Sequence, residues 1–205
     1  MVDRRPKLGS ITTVGGVDIS GVDAEGRARA AVVVLSYPDL QLVEGRVIEE
    51  EVAFPYVPGL LSFREAPLIA AACEHLQTDP DLVMVDGQGL AHPRRFGLGC
   101  HLGLIWEKPT IGCAKSKLCG DHEPVPSERG SYSEITHKGE VIGAAVRTRT
   151  GVKPVYVSIG HMIDLTTAIS CVLQCCRGLR LPEPTRLAHL LAGGRMPATT
   201  PSNPV

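Results

Sequence analysis

The chain carries almost no net charge: the formal value is −1 and the pI about 6.6. No global positive field therefore draws in a nucleic acid, and any such partner would have to be held by local cations and metal ions. No apolar run approaches the length that spans a bilayer. The charged start MVDRRPK, residues 1–7, is not followed by the apolar stretch of a secretory leader. A disulfide framework is missing as well. The seven cysteines are scattered and odd in number, and Cys175 and Cys176 are chain neighbours that cannot bridge in ordinary geometry. Free thiols suit a reducing compartment. A soluble, cytoplasmic monomer with no membrane partner is expected. There is no internal repeat.

What is present is enough for a core: 43% of the 205 residues are hydrophobic, which suits one domain. Residues 1–10 are expected to be a flexible N-terminus and 11–192 a single domain. Residues 193–205, rich in Gly, Pro, Thr and Ser, are expected to be a disordered tail. Apolar runs at 11–20, 29–37 and 42–52, joined by short turns, predict an antiparallel meander. The prolines of FPYVPG then forbid regular structure. Phe63, Ala66, Ile69, Ala70, Cys73 and Leu76 recur at helical spacing behind Ser62, a plausible cap. A strand over 81–86, a helix to Trp106 and a strand over 110–114 follow. Residues 116–140 read as a polar loop, 140–148 and 154–159 as two edge strands. Leu165, Ala168, Ile169, Val172 and Cys176 mark a helix capped by Asp164, and a short helix covers 186–191. A meander followed by strand–helix alternation predicts an α/β fold, a mixed sheet with helices on its faces.

Chemistry in such folds gathers where strands stop. Asp86 ends the apolar run LVMV and is followed by Gly87, Gln88 and Gly89, which let a backbone or a flat ligand come close. Asp18 sits inside an apolar strand, where an unpaired carboxylate is expensive. Glu65 lies in a first helical turn and His161 before a helix. Three carboxylates and an imidazole on separate elements suggest a site for a hard divalent cation, Mg²⁺ or Mn²⁺. A glutamate in a first turn also simply suits the helix dipole, and a histidine there also caps a turn, so neither carries the case alone. Arg94, Arg95, Lys115, Lys117, Arg147, Arg149 and Lys153 could supply local phosphate contacts. Cys113, Cys119 and His122 do not have a standard zinc spacing and are expected to be ordinary thiols and a loop histidine.

Six segments carry a resemblance: GVDIS at 16–20, FPYVPGLLSFREAP at 54–67, VDGQGLAHP at 85–93, GCAKS at 112–116, GH at 160–161 and RLPEPTR at 180–186. In this order they resemble the endonuclease V family, deoxyinosine-directed nucleases of the ribonuclease-H-like fold. The resemblance implies that Asp18, Glu65 and Asp86 hold the metal, with His161 as fourth member and Lys115 as the catalytic lysine. It implies a wedge at Pro55, Tyr56, Val57 and Pro58, which fills the place of a flipped base. It implies a lesion pocket of Gly59, Leu61, Gly87, Gln88, Gly89, Gly97 and Leu118, with His92 nearby. The implied activity is Mg²⁺-dependent (Mn²⁺ substituting) hydrolysis of the second phosphodiester 3′ to deoxyinosine in single- or double-stranded DNA. The ends left would be 3′-hydroxyl and 5′-phosphate. Inosine-containing RNA is the alternative substrate, and a non-catalytic nucleic-acid-binding module or a small-molecule phosphatase are the competing classes. Two departures stand out: a helix that many members carry before the first strand is short or absent, and Cys113 stands where valine is common.

Overall fold

The computed structural model describes residues 8–55, 57 and 60–196. Its strands are β1 (Thr13–Ile19), β2 (Arg27–Ser36), β3 (Leu42–Glu51), β4 (Leu82–Val85), β5 (Thr110–Ala114), β6 (Tyr132–His137), β7 (Glu140–Val146) and β8 (Val155–His161). Its helices are α1 (Leu61–Glu74), α2 (Leu98–Trp106), α3 (Leu165–Gln174) and α4 (Glu183–Ala192). All eight strands form one sheet in the order β3-β2-β1-β4-β5-β8-β7-β6. The meander β1–β3 is antiparallel, β4 and β5 join it parallel to β1, and β8, β7 and β6 continue antiparallel. This is the mixed sheet the element order predicts.

Helices cover both faces, and β4 shows how. Leu82 and Met84 pack into the core beneath α3, while Val83 and Val85 pack with Ala66, Ile69 and Leu102 of α1 and α2. A strand buried on both faces reads as an unbroken apolar run rather than an alternating one. On the α3 side a second helix, α4, seats Ala188, Leu191 and Ala192 on Ala31 and Val33 of β2. Gly16 makes that approach possible: a Cβ there would collide with the backbone carbonyl of Pro184, so α4 rests directly on β1.

Local signals hold where the chemistry is local. Asp164 caps α3, its Oδ1 accepting from the Thr167 N–H at 2.8 Å. Pro182 stands at the N-cap of α4, which begins at Glu183 rather than at residue 186. Ser62 does not cap α1. The N-cap is Leu60, without a side-chain bond, and Ser62 is buried in the first turn. The buried face is Ser62, Ala66, Leu68, Ile69 and Ala72, in which the small Ser62, Ala66 and Ala72 bring the helix close to the sheet, and Phe63 is left 47% exposed. The expected loop contains β6, a polar strand of which only Ile135 is fully buried, so no apolar run announced it. β8 is no edge strand: it lies between β5 and β7, and the edges are β3 and β6. At the two ends, a 3-10 turn spans Leu8–Ser10, and Met196 still packs against the α4–β2 cluster.

Candidate active site

β1, β4 and β5 are parallel, so their C-terminal ends lie side by side at one end of the strands. Val17 pairs with Val85, which sets the next residues, Asp18 and Asp86, abreast. The Asp86 N–H reaches the Val17 carbonyl at 3.5 Å. One strand further, Lys115 follows β5 directly, and its Nζ lies 2.5 Å from Asp86 Oδ2. Glu65, in the second turn of α1, lies within electrostatic range of both aspartates. The Asp18 and Asp86 side chains are only 12% and 13% exposed.

Burial and neighbouring negative charge both disfavour the ionised form of a carboxyl, and Asp18 and Glu65 feel both. Burial, and then the charge of Asp86, lift Asp18 above its ordinary value against the bond it accepts from His189. Burial, and then the charge of Asp18, push Glu65 up to about 7, with Arg64 opposing and Asp86 adding. The side chains that answer them are Lys115, whose ammonium is on Asp86, and His189, whose Nδ1 is 2.7 Å from Asp18 Oδ2. Among the described residues no three His, Cys, Asp or Glu side chains are drawn together tightly enough to hold an ion as they stand. The donor chemistry nevertheless fits one: oxygen-rich, acidic, partly buried and short of positive charge.

His161 does not join them. β8 runs antiparallel to β5, and His161 pairs with Thr110 at the start of β5. That places it about 17 Å of strand away from Lys115, at the opposite end of the strands. Its place is taken by His189 on α4, which the sequence did not disclose. A half-exposed histidine on an amphipathic helix has no local signature. Its role appears only once Gly16 lets α4 down onto β1.

A cleft of about 590 Å³ opens beside the carboxylates. Of the expected pocket residues, Leu61, Gly87, Gln88, His92, Gly97 and Leu118 line it, together with Glu65, Asp86 and Lys115. Gly89 does not. Its N–H donates to Ser158 Oγ at 2.8 Å and its α-carbon faces the Ile159 carbonyl, so it serves close packing. Gln88 Nε2 donates to the Ser116 carbonyl at 3.0 Å, while its Oε1 is buried without a hydrogen-bond partner among the described residues. Of the wedge, Pro55 and Val57 are exposed. Tyr56, Pro58 and the pocket residue Gly59 lie outside the described residues.

Two arginines have structural work. Arg147 donates to the carbonyls of Val125, Pro126 and Val152, so it braces a turn rather than offering itself to phosphate. Arg180, which sequence reasoning passed over, donates to the carbonyls of Lys115 at 2.5 Å, Pro154 at 2.8 Å and Lys153 at 3.0 Å. It pins the strand end that carries Lys115. Cys113 is buried in the core, where burial pushes its thiol well above the ordinary value.

A family model for endonuclease V matches residues 1–190 of the chain. The chain belongs to the endonuclease V family. The endonuclease V of Dehalococcoides mccartyi is 55% identical over 185 residues, 90% of this chain and 83% of that protein. The solved structure of Streptomyces avermitilis endonuclease V superposes with a TM-score of 0.89 at 41% identity, covering 95% of this chain and 85% of that one. A Ciona intestinalis endonuclease V, solved with a 24mer DNA containing an inosine followed by a ribo-adenosine, is 30% identical with a TM-score of 0.82. Here 94% of this chain and 89% of that one are covered. Aquifex aeolicus Argonaute, 13% identical with a TM-score of 0.56, shares the fold alone. By that family membership the chain is an endonuclease, and its fold is ribonuclease-H-like.

Proposed function

We propose that this protein recognises deoxyinosine in DNA and hydrolyses the second phosphodiester bond 3′ to it, leaving 3′-hydroxyl and 5′-phosphate ends for a repair pathway. The observation that carries this is the meeting of Glu65, Asp86 and Lys115, which line the 590 Å³ cleft, with Asp18 abreast of Asp86 on the neighbouring strand. Asp18, Glu65 and Asp86 would hold Mg²⁺, or Mn²⁺ in its place. When bound, the cation supplies Lewis acidity and makes water a nucleophile at neutral pH.

The chain's own residues do the rest. Lys115 places an ammonium where negative charge develops on the phosphoryl oxygens in the transition state. Its hold on Asp86 fixes that position, and Arg180 fixes the backbone behind it. His189 orients the Asp18 carboxylate. The cleft, walled by Leu61, Gly97 and Leu118, has room for one flipped base. Hypoxanthine differs from adenine in its O6 and N1–H, and from guanine in lacking the 2-amino group. A close-fitting wall can exclude that group, and buried polar atoms reject a base that leaves them unpaired. An inosine pair is weaker than a normal one, which lowers the cost of flipping. The loop of Pro55, Tyr56, Val57 and Pro58 would occupy the vacated space.

The competing substrate is inosine in RNA, kept in view by the relative whose bound strand carries a ribo-adenosine after the inosine. One assay separates them. End-labelled strands with one deoxyinosine, one inosine ribonucleotide or plain adenine are incubated with Mg²⁺ and with EDTA, using wild type and Asp86→Ala. A single cut 3′ to deoxyinosine, absent from the variant and in EDTA, is expected. Stronger cutting of the RNA strand would move the function to RNA, and binding without any cut would reduce the protein to a recognition module.

A further inference from the structure

The chain has three phenylalanines, and none of them is in the core. They stand in one row with a histidine. The rings of Phe54 and Phe63 are 6.5 Å apart, Phe63 meets His101 edge-on at 5.0 Å, and His101 meets Phe96 at 5.5 Å. The core is built instead from Val, Ile, Leu and Ala. Leaving rings in water forgoes the largest hydrophobic gain a side chain offers, and a contiguous exposed apolar patch marks a place of binding. Phe54 is 37% and Phe63 47% exposed.

The position of the row narrows what it binds. Phe54 directly precedes Pro55 of the proposed wedge. Phe63 lies on α1 between Ser62 and Glu65, both of which line the cleft, and Phe96 precedes Gly97, which lines it too. The row therefore runs beside the cleft, whose lining includes chain neighbours of Phe63 and Phe96 though not the rings themselves, from Phe54 across α1 to the start of α2. Arg64 and Arg94 place positive charge beside it, suited to phosphates. His101 buttresses the two rings it touches. Burial lowers its pKa, and its Nδ1 is buried with no hydrogen-bond partner among the described residues, so it acts as a neutral ring held by aromatic contacts.

We propose that this row is a stacking platform for the nucleobase that neighbours the flipped one on the lesion-bearing strand. The proposal rests on the nuclease reading above. When a base leaves the stack, its neighbour loses one stacking face, and an exposed phenyl ring beside the cleft restores it. Every base has such a face, so stacking tolerates any sequence. Discrimination is then left to the cleft, and the platform holds the strand in register whatever base adjoins the lesion.

The test is a binding cycle in EDTA. Strands carry one deoxyinosine with either a normal nucleotide or an abasic site on its 5′ or its 3′ side, and the proteins are wild type, Phe63→Leu and Phe63→Trp. Wild type should lose about tenfold in affinity when the base on one particular side is removed. Phe63→Leu should bind the intact strand about tenfold more weakly than wild type and lose nothing further on the abasic strand, and Phe63→Trp should restore both values. Because Phe63 is half exposed, thermal unfolding checks that the variants fold as wild type does. If Phe63→Leu and the abasic site each cost affinity independently, or Phe63→Trp fails as Phe63→Leu does, the ring is packing and the platform is wrong, while cutting at deoxyinosine still stands. If wild type neither binds nor cuts a deoxyinosine strand, the nuclease reading fails and the platform with it.

Discussion

Glu65 offers the sharpest physical test, because its charge is a burden to the metal-free protein. Burial and the neighbouring aspartates raise its pKa from 4.5 to about 7. The folded state thus binds a proton that the unfolded chain would release. For a carboxyl with a raised folded pKa, the penalty is absent below about pH 4.5, grows as pH climbs, and is complete above about 7. A shift of that size corresponds to about 3 kcal/mol at most, and relaxation and the shared titration with Asp18 reduce it to about 2. Glu65→Gln removes the charge and keeps the shape. In EDTA at pH 8 the variant should melt about 4–8 °C above wild type, the two curves converging near pH 4.5. Cleavage should be lost in the same variant, since Glu65 is a proposed ligand. Added Mg²⁺ should raise the Tm of wild type and not that of Glu65→Gln. A stability gap that does not change with pH, or a variant less stable than wild type at pH 8, would refute the account of the cluster as charge-strained.

Other outcomes follow from the geometry. His189→Ala should lower cleavage about 10- to 100-fold, by freeing the Asp18 carboxylate it orients, whereas His161→Ala, at the opposite end of the strands, should leave steady-state cleavage unchanged. Lys115→Met should cost about 100- to 1,000-fold in kcat with binding of a deoxyinosine strand retained, read by single-turnover kinetics beside a gel-shift titration. Arg180→Met leaves the carbonyls of Lys115, Lys153 and Pro154 without their donor, so it should lower both the urea midpoint and kcat. Gly16→Val sets a side chain against the Pro184 backbone and should lift α4, lowering Tm and cleavage together.

Sequence showed well which residues would stand at strand ends and poorly which end of the sheet each would reach. Asp86 was legible because an unbroken apolar run of four residues, buried on both faces, stops just before it. Lys115 closes β5 in the same way, but only the family resemblance gave it a role. Asp164 was legible because capping is settled within three residues. His161 closes β8 and precedes a helix, and by that local position it was gathered with the carboxylates. What separates it is strand direction: β1, β4 and β5 are parallel and deliver their last residues to one end of the sheet's strands, while β8 enters between β5 and β7 antiparallel and delivers its last residue to the other end. Direction is fixed by pairing between segments dozens of residues apart, and no window along the chain contains it. The same holds for His189, whose register on Asp18 depends on a glycine far earlier in the chain. The proposed site is thus encoded twice: locally, in the polar residues that close apolar runs, and non-locally, in the small residues that let a distant helix complete it. An apolar run ending in a histidine is therefore weak evidence for a site until the direction of its strand is known. A glycine pair inside a buried strand, such as Gly15 and Gly16, is the better place to look for the helix that supplies the missing side chain.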